Sequence, residues 1–118
     1  MKRFMVQAYF NQSPVAYKEL EKSFSKYEGT PVTFTGEVLQ IQEYEQEEGI
    51  RIDTEMRLAI NGNYDEVIFV TFQNSFGMEG IVSEDTVTVS GVLTGSVTYE
   101  SVSGYEITIP SMEAIIYQ

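Results

Sequence analysis

The side chains of this protein that could take part in chemistry are almost all carboxylates. Two pairs of adjacent acids, Asp65-Glu66 and Glu84-Asp85, could supply a general acid and a general base. Both pairs lie beside predicted turns, however, and adjacent residues on a strand point to opposite faces of the sheet. A Ser–Lys pair is an open alternative, but the serines lie in predicted loops without the sharp turn that presents a nucleophile. The sequence therefore predicts a protein that is not an enzyme.

The chain lacks histidine and cysteine altogether, which excludes further kinds of catalytic and metal site. Without cysteine there is no disulfide, no thiolate nucleophile and no cysteine-ligated zinc or iron–sulfur centre. Without histidine there is no side chain whose ordinary pKa lies near neutrality. We therefore predict no catalytic residue and no cofactor.

Oxygen ligands for a hard cation are concentrated in two predicted turns. Glutamates crowd the connection at 43–48, and residues 61–66 offer asparagine and carboxylate oxygens. The second segment lacks the ligand spacing of a calcium loop, and the first is more typical of a solvated hairpin connection than of a weak cation site. We predict no bound metal.

Acidic residues outnumber basic ones, and the excess is uneven along the chain. The 118 residues include seven Lys and Arg against eighteen Asp and Glu, a net charge of −11. Residues 31–118 carry only Arg51 and Arg57 against fifteen acids, a net charge of −13. Such a surface repels phosphates and anionic lipids and attracts cationic partners, and no stretch reaches the ~20 apolar residues of a membrane span. Direct nucleic-acid binding and membrane insertion are therefore disfavoured.

One helix is predicted over residues 13–28. Ser13 is a suitable N-cap, Pro14 follows where a missing N–H costs nothing, and Gly29 and Pro31 stop the helix. One face carries an apolar stripe at helical spacing, formed by Tyr17, Leu20, Phe24 and Tyr27. Three lysines at four-residue spacing lie opposite this stripe and form the solvated face.

From Pro31 onward the apolar residues follow the two-residue period of strands. The parity of the first strand slips after Gly36, which predicts a bulge. A second strand is predicted over 50–60, followed by a turn at 61–63. The apolar run 67–72 predicts a third strand covered on both faces, and the following residues predict a loop with a helical turn.

The last two predicted strands are longer. From Val87 to Tyr99 the apolar and small residues keep one parity, with glycine at two inward positions, which is typical of a strand that coils through a barrel corner. The final strand begins at Tyr105, breaks at Pro110 and resumes at Ala114. Five coiled antiparallel strands bury their inner faces best when they close into a barrel.

These elements predict an all-β domain with one N-terminal helix. The expected fold is a five-stranded Greek-key OB-fold barrel over residues 31–118, with the helix plugging one end. Residues 1–12 form an N-terminal arm, and residues 13–118 form a single domain. Because no signal peptide is recognisable, the chain as written is expected to be cytoplasmic. An extracellular or lipid-anchored parent protein is the alternative if a leader has been removed.

Four segments resemble a known group of OB-fold domains. They are the entry from Tyr27 to Val38, the strand segment from Asp65 to Phe72, the segment from Glu84 to Gly91, and the ending from Thr98 to Pro110. The chain is thereby similar to the tRNA-anticodon-binding-like domains of uncharacterised Gram-positive bacterial proteins, many of them exported or lipid-anchored. The resemblance implies an OB-fold and no catalytic residue.

Two functions from different classes fit this chain. The first is a non-catalytic binding module that engages an unidentified protein or a small ligand. The alternative is an acidic mimic of nucleic acid that inhibits a nucleic-acid-binding protein, as phage and mobile-element inhibitors do. Single-stranded nucleic-acid binding is a weaker third hypothesis, because the aromatic residues needed for stacking lie mostly at core positions and basic residues are scarce.

The predicted binding residues lie in the acidic first hairpin and in the last one. They are Glu43, Tyr44, Glu45, Glu47, Glu48, Tyr99, Glu100 and Tyr105. Neither the oligomeric state nor the partner is predicted.

Overall fold

Five strands form a closed barrel in the part of the chain that this computed structural model describes, residues 15–46, 51–74 and 77–118. The strands are β1 (Pro31–Gln46), β2 (Arg51–Ile60), β3 (Val67–Asn74), β4 (Thr86–Glu100) and β5 (Glu106–Tyr117). Their order around the barrel is β1-β2-β3-β5-β4, and β1 closes it by pairing with β4. β3 and β5 run parallel, and the other neighbouring strands run antiparallel. This is the OB-fold, so the predicted fold class is confirmed.

The predicted bulge lies in β1. The register with β2 shifts between Val38 and Gln40, so Leu39 is the additional residue. Just before it, a Cβ on Gly36 would collide with the main-chain oxygen of Ala59. Glycine is therefore required where β1 comes closest to the end of β2.

Two further register shifts bend the β4–β5 pair, between Ser90 and Gly91 and between Leu93 and Gly95. A Cβ on Gly91 would collide with the main-chain oxygen of Glu113. The inward side of β4 was predicted to continue as far as Tyr99, and this is wrong. Beyond the second shift Gly95 pairs with Ser111, which has outward-facing Phe69 as its other neighbour. The rest of β4 therefore changes sides.

The predicted break at Pro110 is also wrong, because β5 runs through this residue without interruption. Residues 106–110 of β5 pair with β4, and pairing with β3 begins only at Ser111. One side of β5 thus has no ladder at the proline, which is where a strand tolerates a residue without an N–H.

The predicted single helix over 13–28 is wrong as well. An α-helix, α1, spans Tyr17–Lys22, and a 3₁₀ turn spans Ser25–Tyr27. Ser23 between them is extended, with φ −159° and ψ 90°. Serine competes for backbone hydrogen bonds and so weakens a helix, and the break lets the 3₁₀ turn pack on β4.

The helical segment contributes to the core only in part. Tyr17 and Leu20 belong to the buried cluster, whereas Phe24 and Tyr27 are only partly buried. The predicted caps at Ser13 and Pro14 lie outside the described residues. Neither helix in the described ranges has the length or apolar character needed to span a bilayer.

The core fills the barrel with residues from every strand. Its fully buried side chains include Val38, Met56, Leu58, Ile68, Val70, Val89 and Met112. β3 alternates buried and partly exposed residues, so the prediction that both its faces are covered is wrong. In the loop after β3 the described residues 77–85 form turns without a helix, and Met78 from this loop enters the core.

Candidate binding face

The outer side of β1, β2 and β3 forms a continuous polar face. Its residues follow from the strand register, since directly paired residues point to the same side. The three rows across the strands are Gln40–Arg57–Phe69, Gln42–Glu55–Thr71 and Tyr44–Asp53–Gln73. We call these nine residues the β1–β3 face. The bulge at Leu39 places the glutamines and Tyr44 on this side rather than on the core side.

Tyr99 from β4 also reaches this face. Its ring lies against Arg57, with the guanidinium carbon 3.9 Å from the ring centroid. β2 and β4 are not neighbours in the barrel, so the stack is a contact across the fold. The register shift before Gly95 makes it possible, because Tyr99 then shares its side with Ser111 and Phe69. An arginine stacked on tyrosine is a cation–π contact.

A small concavity of about 70 Å³ opens in the middle of the face. The residues that line it are Gln40, Gln42, Glu55, Met56, Arg57 and Phe69, and all of them except the buried Met56 belong to the outer side of the strands. Glu55, Arg57 and Phe69 are each partly buried. The concavity therefore combines a carboxylate, two amides, a guanidinium and an aromatic ring.

The β1–β3 face is close to neutral in a strongly acidic protein. Both arginines of the barrel lie on the outer side of β2, together with Asp53 and Glu55. Arg51 and Asp53 form an ion pair, with Nε 3.1 Å from Oδ1. The remaining charges, Glu55 and Arg57, form no ion pair with each other or with any other described residue.

Acids elsewhere are spread over the molecule. In the described ranges they occur on α1, at Glu28 after the 3₁₀ turn, on β1, β4 and β5, and in the turns that follow β2 and β3. One local group combines Glu37 with Tyr64, whose hydroxyl donates a hydrogen bond to the Glu37 carboxylate at 2.7 Å. This hydrogen bond, with the nearby negative charge, raises the pKa of Tyr64. No group of three or more acids suited to holding a metal ion occurs among the described residues.

Comparisons with known proteins find likenesses among solved structures. No family model and no curated protein matches the chain. Among solved structures, the chain is similar to the second OB-fold domain of replication protein A from Methanococcus maripaludis, with 13% sequence identity and a TM-score of 0.42. The likeness covers 78% of this chain and 83% of that domain. It bears on the fold alone, and the strand order and register described above establish the OB-fold independently.

The residues predicted to bind a partner do not form one cluster. Tyr44 and Tyr99 both lie at the β1–β3 face. Tyr44 lies in the row with Asp53, and Tyr99 lies beside Arg57. Glu100 pairs directly with Glu106 near the end of the β4–β5 hairpin. Tyr105 lies in the hairpin turn and is 73% exposed. Their part in binding remains a prediction.

The residues of the acidic first hairpin do not all point to the same side of β1, because successive residues of a strand point to opposite sides. Glu43 and Glu45 pair with Thr54 and Ile52, so they lie on the opposite side of β1 from Tyr44. The Glu43 carboxylate lies against Gly77, where a Cβ would collide with it. Glu47 and Glu48 lie outside the described residues.

The sequence prediction missed the centre of the face. Glu55, Arg57 and Phe69 come from strands without a turn or motif that would mark them. The one available signal was that Arg51 and Arg57 are the only cations in residues 31–118 and share a parity on one strand. Placing Arg57 beside Phe69 and Gln40 required the register of three strands.

Proposed function

We propose that this protein is a non-catalytic OB-fold binding module that holds a segment of a protein partner across the β1–β3 face. The observation that carries the proposal is the Arg57–Tyr99 stack beside partly exposed Phe69. Tyrosine, arginine and other aromatic residues in well-packed surroundings are the residue types that dominate binding energy at protein interfaces.

The size of the concavity favours a protein segment over a free small ligand. Small-molecule sites usually enclose roughly 300–1,000 Å³. The concavity of the β1–β3 face holds about 70 Å³. It can receive the end of one side chain, while the rest of the ligand lies on the surrounding strands.

Charge argues against the nucleic-acid alternatives. Single-strand binding needs a basic groove along the phosphate backbone, and residues 31–118 carry two arginines against fifteen acids. Mimicry of nucleic acid needs carboxylates gathered on one surface. The described acids are distributed over the helix, four strands and two turns, which favours a solvating role. The resemblance to the tRNA-anticodon-binding-like domains stays a prediction that is compatible with a binding module.

A matched pair of variants tests the proposal. Partners captured by the tagged protein from cells of its source are compared with those captured by Phe69→Ala and by Val82→Ala. Val82 is 59% exposed in the loop after β3, so both variants truncate an apolar side chain at the surface without changing the net charge. We expect Phe69→Ala to lose a partner that Val82→Ala retains, with both variants folded by circular dichroism. Retention of every partner by Phe69→Ala would contradict the proposal.

A further inference from the structure

Glu55 is a carboxylate that the fold leaves without a cation. It is partly buried in the middle row of the β1–β3 face, between Gln42 on β1 and Thr71 on β3. Arg57, two residues further along the same side of β2, is its natural ion-pair partner. The Arg57 guanidinium instead lies over the ring of Tyr99, and the two charges form no ion pair. A partly desolvated carboxylate gains most when a cation is brought to it.

The other walls of the concavity suit the end of a basic side chain. The amide oxygen of Gln40 can accept a hydrogen bond from an ammonium or guanidinium group beside Glu55. The amide oxygen of Gln42 already accepts a hydrogen bond from the Tyr44 hydroxyl at 2.5 Å and has a second lone pair for such a group. The Phe69 ring offers a surface for the methylene stem, and basic side chains commonly bury this stem while their charged end is paired. A volume of about 70 Å³ accommodates such an end and little more.

We propose that this concavity is a subsite for the cationic end of a lysine or arginine side chain carried by the protein partner. The inference rests on the proposed function and specifies the chemistry of the partner. Glu55 accepts the charged hydrogen bond. Arg57 forms one wall, and its stack on Tyr99 keeps the guanidinium away from Glu55.

Long-range charge favours the same partner. The net charge of −11 steers a basic segment toward the protein and repels both a polyanion and a second copy of this chain. The net charge therefore favours a basic protein segment as the partner, and the unpaired Glu55 carboxylate is the group on this nearly neutral face with which its cationic end can pair.

The subsite is tested with defined peptides on the full chain. Hexalysine and hexaarginine are titrated into the ¹⁵N-labelled protein, with hexaglutamate as the negative control. The side-chain amide signals of Gln40 and Gln42 report on the concavity. We expect both basic peptides to shift these signals and hexaglutamate to leave them unchanged.

Two isosteric variants separate the subsite from general acidity. Glu55→Gln and Glu106→Gln each remove one negative charge, but Glu106 is exposed on the β4–β5 hairpin. Glu55→Gln is expected to weaken hexalysine binding about tenfold, the usual value of a lost charged hydrogen bond, and Glu106→Gln less than twofold. The amide spectrum of each variant verifies its fold.

Three results would overturn the subsite. They are unshifted glutamine signals with both basic peptides, equal weakening in the two variants, and a shift caused by hexaglutamate. A partner that is lost in Phe69→Ala but bound normally by Glu55→Gln would overturn the subsite and leave the proposed function standing. Retention of all partners by Phe69→Ala would overturn the proposed function, whatever the peptides do.

Discussion

The Tyr17 hydroxyl donates a hydrogen bond to the main-chain oxygen of Val67 at 2.7 Å. Tyr17 opens helix α1 and is 8% exposed, and Val67 is the first residue of β3. Fifty positions separate the two residues in sequence. This bond ties the helix to the barrel at the start of a strand that contributes to the β1–β3 face.

Tyr17→Phe tests the strength of this connection. The substitution keeps the buried ring and leaves the Val67 oxygen without its donor, so we expect a loss of about 1 kcal/mol in the free energy of unfolding. Urea denaturation measures it. Tyr64→Phe is the matched control, because Tyr64 is 63% exposed, and we expect it to change stability much less than Tyr17→Phe does. Equal losses in the two variants would show that the buried hydrogen bond of Tyr17 stabilises the fold no more than the exposed hydrogen bond of Tyr64.

Alkaline pH should act on the same residue. Burial, with a smaller contribution from the charge of Glu21, raises the pKa of Tyr17 to about 12 from its ordinary value of 10.0. Because the folded-state pKa lies above the unfolded one, the folded state favours the neutral phenol. This contribution to stability is complete below pH 10 and is lost as the pH rises toward 12. Denaturation across this range should show a decline that is smaller in Tyr17→Phe, and an identical decline in both proteins would contradict the assignment.

Gly91→Ala should be strongly destabilising. The new Cβ would collide with the main-chain oxygen of Glu113 on β5, and backbone on a paired strand cannot move aside cheaply. We expect a cost of about 2–3 kcal/mol, measured by thermal or urea unfolding. Ser96→Ala, at an exposed position further along β4, is the control and should cost little. If Gly91→Ala left the free energy of unfolding almost unchanged, β4 and β5 would not approach each other closely enough at this position to exclude a Cβ.

Tyr99→Leu should change the charge balance around Glu55 without removing any group that lines the concavity. Without the aromatic ring, the Arg57 guanidinium loses a cation–π contact of about 0.5–1 kcal/mol and becomes free to pair with Glu55. Hexalysine binding, followed by the Gln40 and Gln42 signals, is then expected to weaken several-fold. Tyr64→Leu, which removes a tyrosine from a turn outside the face, should bind hexalysine like the unchanged protein. Unaltered binding by Tyr99→Leu would argue that the stack does not keep Arg57 from Glu55.

Much of the fold could be predicted because its causes are local. The change from a helical to a two-residue period at Pro31 marks where the barrel begins, and the Asn61-Gly62 turn has positive φ at both residues, 56° and 75°. The parity slip near Gly36 predicted the bulge that the structure contains between Val38 and Gln40. The inward glycine at position 91 marks a bend of β4 where a Cβ would collide with β5. The helix boundaries and the continuity of β5 at Pro110 were not predictable in this way. They depend on what packs beside them: β4 against the 3₁₀ turn, and no strand against one side of β5.

The sequence by itself excluded the chemistry of histidine and cysteine and determined the acidity of the protein. It also determined the alternation of apolar and polar residues that lets five strands close around an apolar interior. Only the tertiary structure decided which side chains share the β1–β3 face. The additional residues in β1 and β4 invert the alternation midway along each strand, so they move Tyr44 and Tyr99 to the outer side. The stack of Tyr99 on Arg57, and with it the unpaired charge of Glu55, exists because the barrel brings together residues 42 positions apart on two strands that do not pair with each other. Local periodicity contains no information about such a contact.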